Sequence, residues 1–224
     1  MPKFILWAWE RPEDLRFLDA RKYGAAFLAQ TLTLRHDIVL PNLRRQPLLV
    51  GTDVYLIAVT RIETDKKQRP NLSDMQKEEI ITFIKQTATL PNVKAVQIDF
   101  DVLVSERAFY KNLVFNLKKN LPENTPLTIT ALASWCAFDN WFADFPIEEA
   151  VPMAFRMGVD DQRIRRFLRD GGDWREPLCR KSYGIATDEL LKMEFKRDRK
   201  IFIFNSRAWR EEDLQNLSEG VLRQ

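Results

Sequence analysis

Ala95-Val-Gln-Ile-Asp-Phe-Asp101 alternates apolar and polar side chains over its length. In an extended strand successive side chains point to opposite faces, so Gln97, Asp99 and Asp101 share one face and the apolar residues between them share the other. A strand of a (β/α)8 barrel packs its outer face against helices and points its inner face at the barrel axis. The stretch therefore predicts a barrel strand that ends in two acids at the active-site end.

Other short apolar or alternating runs along the chain resemble further strands. They are residues 4–9, 23–28, 54–60, 127–132, 150–155, 183–186 and 201–204. Helical patterns lie between several of them: a capping box at Ser73-Asp-Met-Gln76 opens one helix, a second begins near Ser105, and a third covers 210–222. This alternation predicts an α/β fold, a compact and somewhat irregular (β/α)8 TIM-like barrel, with an open doubly wound sheet as the alternative.

One region departs from this alternation after the second predicted strand. Residues 31–34 and 38–40 are strand-like, and they flank the turn-like Arg35-His-Asp37. Two such runs around a short turn are typical of a β-hairpin, not of a crossover helix. We therefore expect a β-hairpin insertion at this point of the barrel.

The composition is that of one ordinary globular domain. The chain has 224 residues, of which 45% are hydrophobic and 30% charged, and we treat residues 1–224 as a single barrel domain. Its 35 basic and 32 acidic residues leave a formal charge of +3, too small to indicate a nucleic-acid partner. The basic cluster Arg163, Arg165, Arg166 and Arg169 has helical spacing and is interpreted as a solvated helix face.

The apolar run 4–9 is only six residues long and charged residues follow it at once, so we expect no membrane span and no secretory segment. A cytoplasmic chain is expected as the sequence stands, or an exported one if a signal segment preceded it. Cys136 and Cys179 form neither a disulfide framework nor a C-x-x-C motif, and we expect reduced thiols. The oligomeric state is not indicated.

Several chemistries lack the residues that they require. His36, the one histidine of the sequence, lies in the predicted hairpin turn and is interpreted as a turn residue, so a Ser-His-Asp triad is not indicated. Multi-histidine metal sites lack the required ligands. The sequence, with seven glycines, contains no G-x-G-x-x-G motif and no P-loop, so we expect no nucleotide cofactor. We expect no other cofactor either. Carboxylate chemistry remains, and it points back to Asp99 and Asp101.

Two carboxylates two residues apart on an inward face repel each other, and burial raises the pKa of at least one of them. A raised pKa is what a general acid near neutral pH requires. A structural alternative uses the same residues, since Asp101 could cap the following helix. The acids could also pair with Arg61, Arg156 or Arg207, which all lie near other strand ends.

Several segments of the chain resemble a known family. Residues 97–101, together with 7–11, 58–63, 128–135 and 151–158, look like an uncharacterised bacterial domain-of-unknown-function family of glycosidase-like (β/α)8 barrels. These segments span most of the chain. The resemblance implies a barrel of glycosidase-like fold.

More distantly, the strand at 95–101 is similar to that of chitinase-type glycoside hydrolases, whose last acid protonates the glycosidic oxygen. On that pattern Asp101 stands where the acid Glu would be and Asp99 where the assisting Asp would be. Gln97 replaces the first Asp. Met153 and Phe155 stand where those enzymes carry a Met and a Tyr that line the pocket, and Phe155 lacks the hydroxyl. The substrate-assisted mechanism of those enzymes therefore has three altered polar positions here.

Hydrolysis by another route requires a second carboxylate, about 5–5.5 Å from the acid for retention or about 6.5–9.5 Å for inversion. Glu10 and Glu63, just beyond predicted strands, are the candidates, and Asp99, the expected electrostatic partner of Asp101, is a weaker one. Tryptophans at strand ends offer flat faces on which a sugar ring could stack. The predicted substrate-binding residues are Gln97, Trp9, Trp135, Met153, Phe155, Arg156 and Trp209.

The sequence thus predicts a carbohydrate-active, glycoside hydrolase-like barrel whose partner is an oligosaccharide or glycoconjugate. Three alternatives stay open: a non-catalytic carbohydrate-binding barrel, a divalent-metal site on Asp99 and Asp101, and a structural interaction domain whose acids are neutralised by arginines.

Overall fold

A computed structural model describes residues 1–191 and 193–220 of the chain. Its strands, in chain order, are β1 (Phe4–Ala8), β2 (Glu13–Leu15), β3 (Tyr23–Arg35), β4 (Ile38–Leu43), β5 (Leu48–Val50), β6 (Tyr55–Thr64), β7 (Val93–Asp99), β8 (Leu127–Leu132), β9 (Glu149–Met153), β10 (Ser182–Ala186) and β11 (Lys200–Phe204). All eight predicted strands coincide with members of this set.

The main sheet closes on itself. Strands β1, β3, β6, β7, β8, β9, β10 and β11 pair in parallel in that order, and β1 completes the ring because it pairs with both β3 and β11. Phe4, for example, is in register with Tyr23 on one side and Ile201 on the other. The prediction of a (β/α)8 barrel is confirmed, and the open sheet is excluded.

The helices are α1 (Asp74–Ala88), α2 (Arg107–Asn120), α3 (Ala133–Phe138), α4 (Asp161–Arg169) and α5 (Glu211–Gly220). Within the described residues, the connections β1 to β3, β3 to β6 and β10 to β11 contain no α-helix, which makes the barrel irregular. The predicted C-terminal helix corresponds to α5, while positions 221 and 222 lie outside the described residues. None of the described helices is long and apolar enough to cross a membrane.

The first two helices begin and pack as their sequences predict. The Ser73 hydroxyl accepts a hydrogen bond from the backbone of Gln76, whose side chain in turn accepts from the backbone of Ser73. This capping box satisfies two backbone donors at the start of α1. On α2, Phe109, Leu113 and Leu117 lie four residues apart and are all buried against the sheet.

The predicted hairpin is confirmed, and it continues a barrel strand. β3 runs beyond the barrel and pairs antiparallel with β4, with Arg35 opposite Ile38 across the turn. His36 lies in this turn with a φ of 45°, a left-handed conformation that suits a tight turn. Gln76 fixes the hairpin to α1, because its side-chain amide donates to the backbone carbonyl of Ile38 at 3.1 Å.

Alternation along β7 separates two cores. Val96, Ile98 and Phe100 belong to the large core between sheet and helices, whereas Ala95 belongs to a small core inside the barrel. Trp7 fills much of that interior. It fits beside Gly184, where an added Cβ would lie only 3.2 Å from the indole ring and 2.8 Å from a backbone oxygen. Close packing inside the barrel leaves open space at one end, where the polar residues of β7 emerge.

The expectation of reduced thiols is wrong. Cys136 of α3 and Cys179 of a short 3-10 helix (Pro177–Lys181) form a disulfide between fully buried residues. The two positions are 43 residues apart in sequence and match no framework spacing. They meet because the segments that follow β8 and precede β10 lie side by side on the barrel.

We expect the double variant Cys136→Ala/Cys179→Ala to be less stable by about 4 kcal/mol, because the cross-link closes a long loop and restricts the unfolded chain. Urea unfolding of the variant and of the oxidised protein measures this loss. The wild-type protein unfolded with a reductant is the matched control. An unfolding free energy equal to that of the oxidised protein would contradict the assignment.

Candidate functional site

A cavity of about 330 Å³ opens at the C-terminal ends of the barrel strands. This is the end at which barrel enzymes carry their active sites. Its walls come from β1, β6, β7, β8, β9 and β11 and from the segments that follow them. The lining residues are Trp7, Trp9, Arg61, Asp99, Asp101, Thr130, Leu132, Ala133, Ser134, Met153, Phe155, Arg156, Met157, Asp160, Ile164 and Phe204.

The two acids of β7 lie together on this cavity surface. Asp99 is only 8% exposed, and the hydroxyl of Thr130 on β8 donates to its Oδ1 at 2.7 Å. Asp101 follows two residues later at the more open mouth of the cavity. Strand alternation therefore places one acid on the floor and the other on the rim.

Both carboxyl groups are harder to ionise than an ordinary aspartate. Burial raises the pKa of Asp99, although the Thr130 hydrogen bond and the charge of Arg61 oppose this shift. Withdrawal from bulk water and the charge of Asp99 raise the pKa of Asp101 to about 6, again against Arg61. Near pH 6 the rim acid can therefore hold or release a proton, as acid–base chemistry requires.

Arg61 is the basic group nearest this pair in the sheet. It lies on β6 in register with Asp99, and its Nε is 2.7 Å from Oε1 of Glu63. Its guanidinium also lies 5.8 Å from the ring centroid of Trp9. Glu63, predicted as a second carboxylate, is thus tied to Arg61 and does not line the cavity.

The structural alternative required an arginine or a helix cap as partner of the acids. Among the described residues, Arg61, Arg156 and Arg207 form ion pairs with Glu63, Asp188 and Asp213, and none with Asp99 or Asp101. The turn after β7 is capped instead by Glu106, whose Oε2 accepts from the backbone N–H of Leu103 at 2.7 Å. Those structural contacts therefore do not involve Asp99 or Asp101.

Four aromatic rings form a continuous wall of the cavity. Phe155 and Phe204 stack with centroids 5.6 Å apart and planes 9° from parallel. Trp7 contacts Phe155 edge-on at 6.2 Å, and Trp9 contacts Phe204 at 6.1 Å. Trp9 and Phe155 were predicted to line the site, and the structure places both in the cavity wall together with Met153.

Arg156 lies at the edge of this wall, also among the cavity residues. Its φ of 50° is unusual for a side chain of this size, and its backbone N–H donates to Oε2 of Glu189 at 3.0 Å. Its guanidinium lies 4.9 Å from the centroid of Phe204 and donates to Asp188 at 3.2 Å. The sharp backbone turn at Arg156 thus follows Phe155 directly, shortly after β9 ends at Met153.

Three predicted substrate-binding residues do not line the cavity: Gln97, Trp135 and Trp209. Gln97 is buried beneath the floor, where it accepts from Trp7 Nε1 at 2.9 Å and donates to Thr128 at 3.2 Å. Trp135 is only 5% exposed and packs against Trp141 at 5.2 Å. Because α3 begins directly after β8, this indole joins the outer aromatic cluster.

Trp209 and the predicted catalytic residue Glu10 also lie outside the cavity. Trp209 is buried, and its Nε1 donates to the backbone carbonyl of Trp7 at 2.8 Å, so it supports the strand that carries the cavity wall. Glu10 is exposed beyond β1, where it accepts from Asn42 of the hairpin at 3.2 Å, and it does not line the cavity.

Sequence reasoning missed Phe204 and Asp160. Phe204 is the last residue of β11, so its position at a strand end was a signal available from the pattern. Asp160 belongs to a short 3-10 helix (Gly158–Asp160) after β9, and it brings a third carboxyl group to the cavity. Nothing in the local sequence pattern sets this loop residue apart from a solvated charge.

The described residues contain no group of three or more His, Cys, Asp or Glu side chains placed to hold a metal ion. A divalent-metal site would therefore have to rest on Asp99 and Asp101 with few further protein ligands.

The fold resembles that of a solved protein, the Bacillus cereus spore cortex-lytic enzyme SleL. The match has a TM-score of 0.52 at 14% identity and covers 84% of this chain and 51% of the other. The chain thus spans about half the length of that enzyme, and at this identity the likeness establishes a shared barrel fold. No protein-family model and no curated protein matches the sequence, so the domain-of-unknown-function resemblance has no such support.

We expect opposite shifts when the neighbours of Asp101 are changed. Asp99→Asn removes a negative charge and should lower the pKa of Asp101 below about 6, whereas Arg61→Gln removes a positive charge and should raise it. Carboxyl-carbon NMR titration of Asp101 measures both, with Asp53→Asn before β6 as the remote control. Shifts in the same direction would contradict the electrostatic account.

Proposed function

We propose that this protein is a carbohydrate-active barrel that binds an oligosaccharide in the cavity and hydrolyses it with Asp101 as general acid. One observation carries this proposal: a pair of acids with raised pKa shares one cavity with a continuous aromatic wall. The acids supply acid–base chemistry, and the rings supply a flat apolar surface.

The aromatic wall suits a sugar ring. Pyranose rings carry apolar C–H faces and polar rims, so they combine stacking on an aromatic surface with hydrogen bonds at the edge. The stacked pair Phe155 and Phe204 offers that surface, and Trp9 extends it. Rigid rings lose little conformational entropy on binding, which makes them efficient contact residues.

In the proposed reaction, protonated Asp101 donates its proton to the glycosidic oxygen as the bond from that oxygen to the anomeric carbon breaks. Water then supplies the new hydroxyl group on that carbon, and a base takes its proton. Asp99 keeps the pKa of Asp101 high before the reaction. Once Asp101 has lost its proton, the Thr130 hydroxyl and Arg61 stabilise the carboxylate charges on this surface.

The second carboxylate is proposed among Glu63, Glu10 and Asp160. Asp160 lines the cavity itself, whereas Glu63 reaches the site through its ion pair with Arg61. Glu10 lies farther out, bonded to the hairpin. Asp160 is therefore the first of the three to test by substitution.

The structural neighbour adds support at the level of class. SleL is described as a spore cortex-lytic enzyme, and it shares the barrel fold with this chain. A glycan-directed activity on a similar barrel makes a saccharide ligand the preferred hypothesis for this cavity. We do not assign the substrate or the linkage specificity of SleL to this chain.

Non-catalytic carbohydrate binding is the second candidate. Its specific support is that Gln97 replaces the first acid of the chitinase-type strand and is fully engaged with Trp7 and Thr128. Phe155 likewise lacks a hydroxyl and stacks on Phe204. A barrel that binds a sugar without hydrolysing it would need the aromatic wall but no proton transfer.

Asp101→Asn should reduce hydrolysis of a cleaved glycan by at least about 100-fold, because the amide cannot donate the proton. A broad panel of polysaccharides and aryl glycosides measures this, with Asp53→Asn at the opposite barrel end as the charge-matched control. Equal turnover in the wild type and Asp101→Asn would remove Asp101 from the role. Binding without turnover in both proteins would favour the non-catalytic barrel.

The activity should also follow the protonation of Asp101. A general acid works in its protonated form, so the rate should fall as the pH rises through about 6, the pKa of Asp101. Because Asp99→Asn lowers that pKa, the alkaline limb should move to lower pH in this variant. A pH–rate profile with the limb unmoved would assign it to another group.

A further inference from the structure

We propose that the cavity selects saccharides that carry a carboxylate, and that Arg61 binds this carboxylate through the two terminal amino groups of its guanidinium. The inference rests on the proposed sugar-binding function and specifies its substrate class. It is carried by an arginine in the cavity wall whose terminal donors have no protein acceptor among the described residues.

Arg61 is held in position from one side only. Its Nε lies against Glu63 at 2.7 Å, and its side chain is 39% exposed at the cavity surface. Within the described residues, neither Nη atom donates a hydrogen bond to a protein acceptor. An arginine has five N–H donors, and the pair of terminal groups matches the two oxygens of a carboxylate. The anchored Nε thus orients a fork that is left for a ligand.

The acids beside Arg61 do not occupy this fork. Asp99 lies in register on the next strand, but Thr130 binds its Oδ1, and no ion pair joins Arg61 to Asp99 or Asp101. Arg61 acts on them only through its charge, which lowers the pKa of both. An arginine that had evolved only to neutralise these acids would be expected to contact them.

A second guanidinium lies at the other end of the aromatic wall. Arg61 lies over Trp9 at 5.8 Å, and Arg156 lies over Phe204 at 4.9 Å. Trp9 and Phe204 contact each other, so the apolar surface that would stack on a sugar lies between two positive groups. Both arginines have an acidic partner, but Arg156 contacts Asp188 through a terminal Nη group, whereas Arg61 contacts Glu63 through Nε, so Arg61 is the better candidate for a bidentate contact.

The acidic groups of the cavity do not prevent this binding at mildly acidic pH. Asp99, Asp101 and Asp160 line the cavity with the two arginines, and Glu63 lies behind Arg61. Burial raises the pKa of Asp99 and Asp101, so these two acids lose negative charge as the pH falls. The repulsion that Asp99 and Asp101 exert on an anion beside Arg61 is then smaller.

Isothermal titration calorimetry at pH 5.5 tests the proposal with paired probes. The acidic probes are tetragalacturonate, a cellouronate tetramer and a hyaluronan tetrasaccharide, each compared with its carboxyl-reduced, neutral counterpart. We expect at least one acidic probe to bind about tenfold or more tightly than its counterpart, the range of a charge-assisted bidentate contact. Arg61→Gln should abolish that preference, and Arg61→Lys should restore only part of it, because lysine lacks the fork.

Arg21→Gln is the matched control, since Arg21 lies before β3 at the opposite end of the barrel, is 89% exposed and is paired with Asp19. It changes the net charge equally and should leave the preference intact. Near-UV circular dichroism and thermal unfolding verify that Arg61→Gln is folded.

The outcomes separate the two proposals. Equal binding of acidic and neutral probes would overturn the anionic preference while supporting the sugar site. A preference that persists in Arg61→Gln would overturn the role of Arg61, and one lost also in Arg21→Gln would reduce it to net charge. Failure of every probe to bind would overturn both the preference and the proposed carbohydrate function.

Discussion

Closure of the sheet is the constraint on which the rest of the molecule depends. Because β1 pairs with β3 on one side and β11 on the other, no barrel strand has a free edge, and all inward side chains must share one axis. Trp7 packs inside the barrel beside Gly184 and also lines the cavity at the C-terminal end. The same closure brings the C-terminal ends of eight strands around one mouth. A cavity at this end is therefore a consequence of the fold.

The floor of the cavity is a polar layer whose members satisfy one another. Trp7 donates to Gln97, and Gln97 donates to Thr128. Further along the same two strands, β7 and β8, Thr130 donates to Asp99. Buried polar groups are costly without partners, and these contacts across β1, β7 and β8 remove that cost. They also fix the rotamer of the floor acid. Within the described residues, no protein donor hydrogen-bonds the carboxyl group of the rim acid, Asp101, which is compatible with the proposed proton transfer.

The site combines three properties that an ordinary structural ion network lacks. Among the described residues, neither acid forms an ion pair, an aromatic wall lines the same cavity, and the Nη groups of the lining residue Arg61 donate to no protein acceptor. All three suit the proposed ligand, a saccharide with an apolar face and polar groups at its edge. The Cys136–Cys179 disulfide lies beyond Ala133 and Ser134 in the same rim segment, so a covalent link supports one wall.

The sequence by itself determined the strands, the hairpin, the helix caps and which face of β7 points inward, because these depend on periods of two or 3.6 residues and on local hydrogen bonds. From that face alone Asp99 and Asp101 were placed in the site. Only the tertiary structure decided which residues of other strands meet them. Trp135 turned outward because α3 starts directly after β8, and Phe204, Asp160 and Arg61 joined the cavity through barrel closure. The paired cysteines were likewise a matter of contact between distant segments, since a local pattern specifies the direction of a side chain but not what lies across the barrel from it.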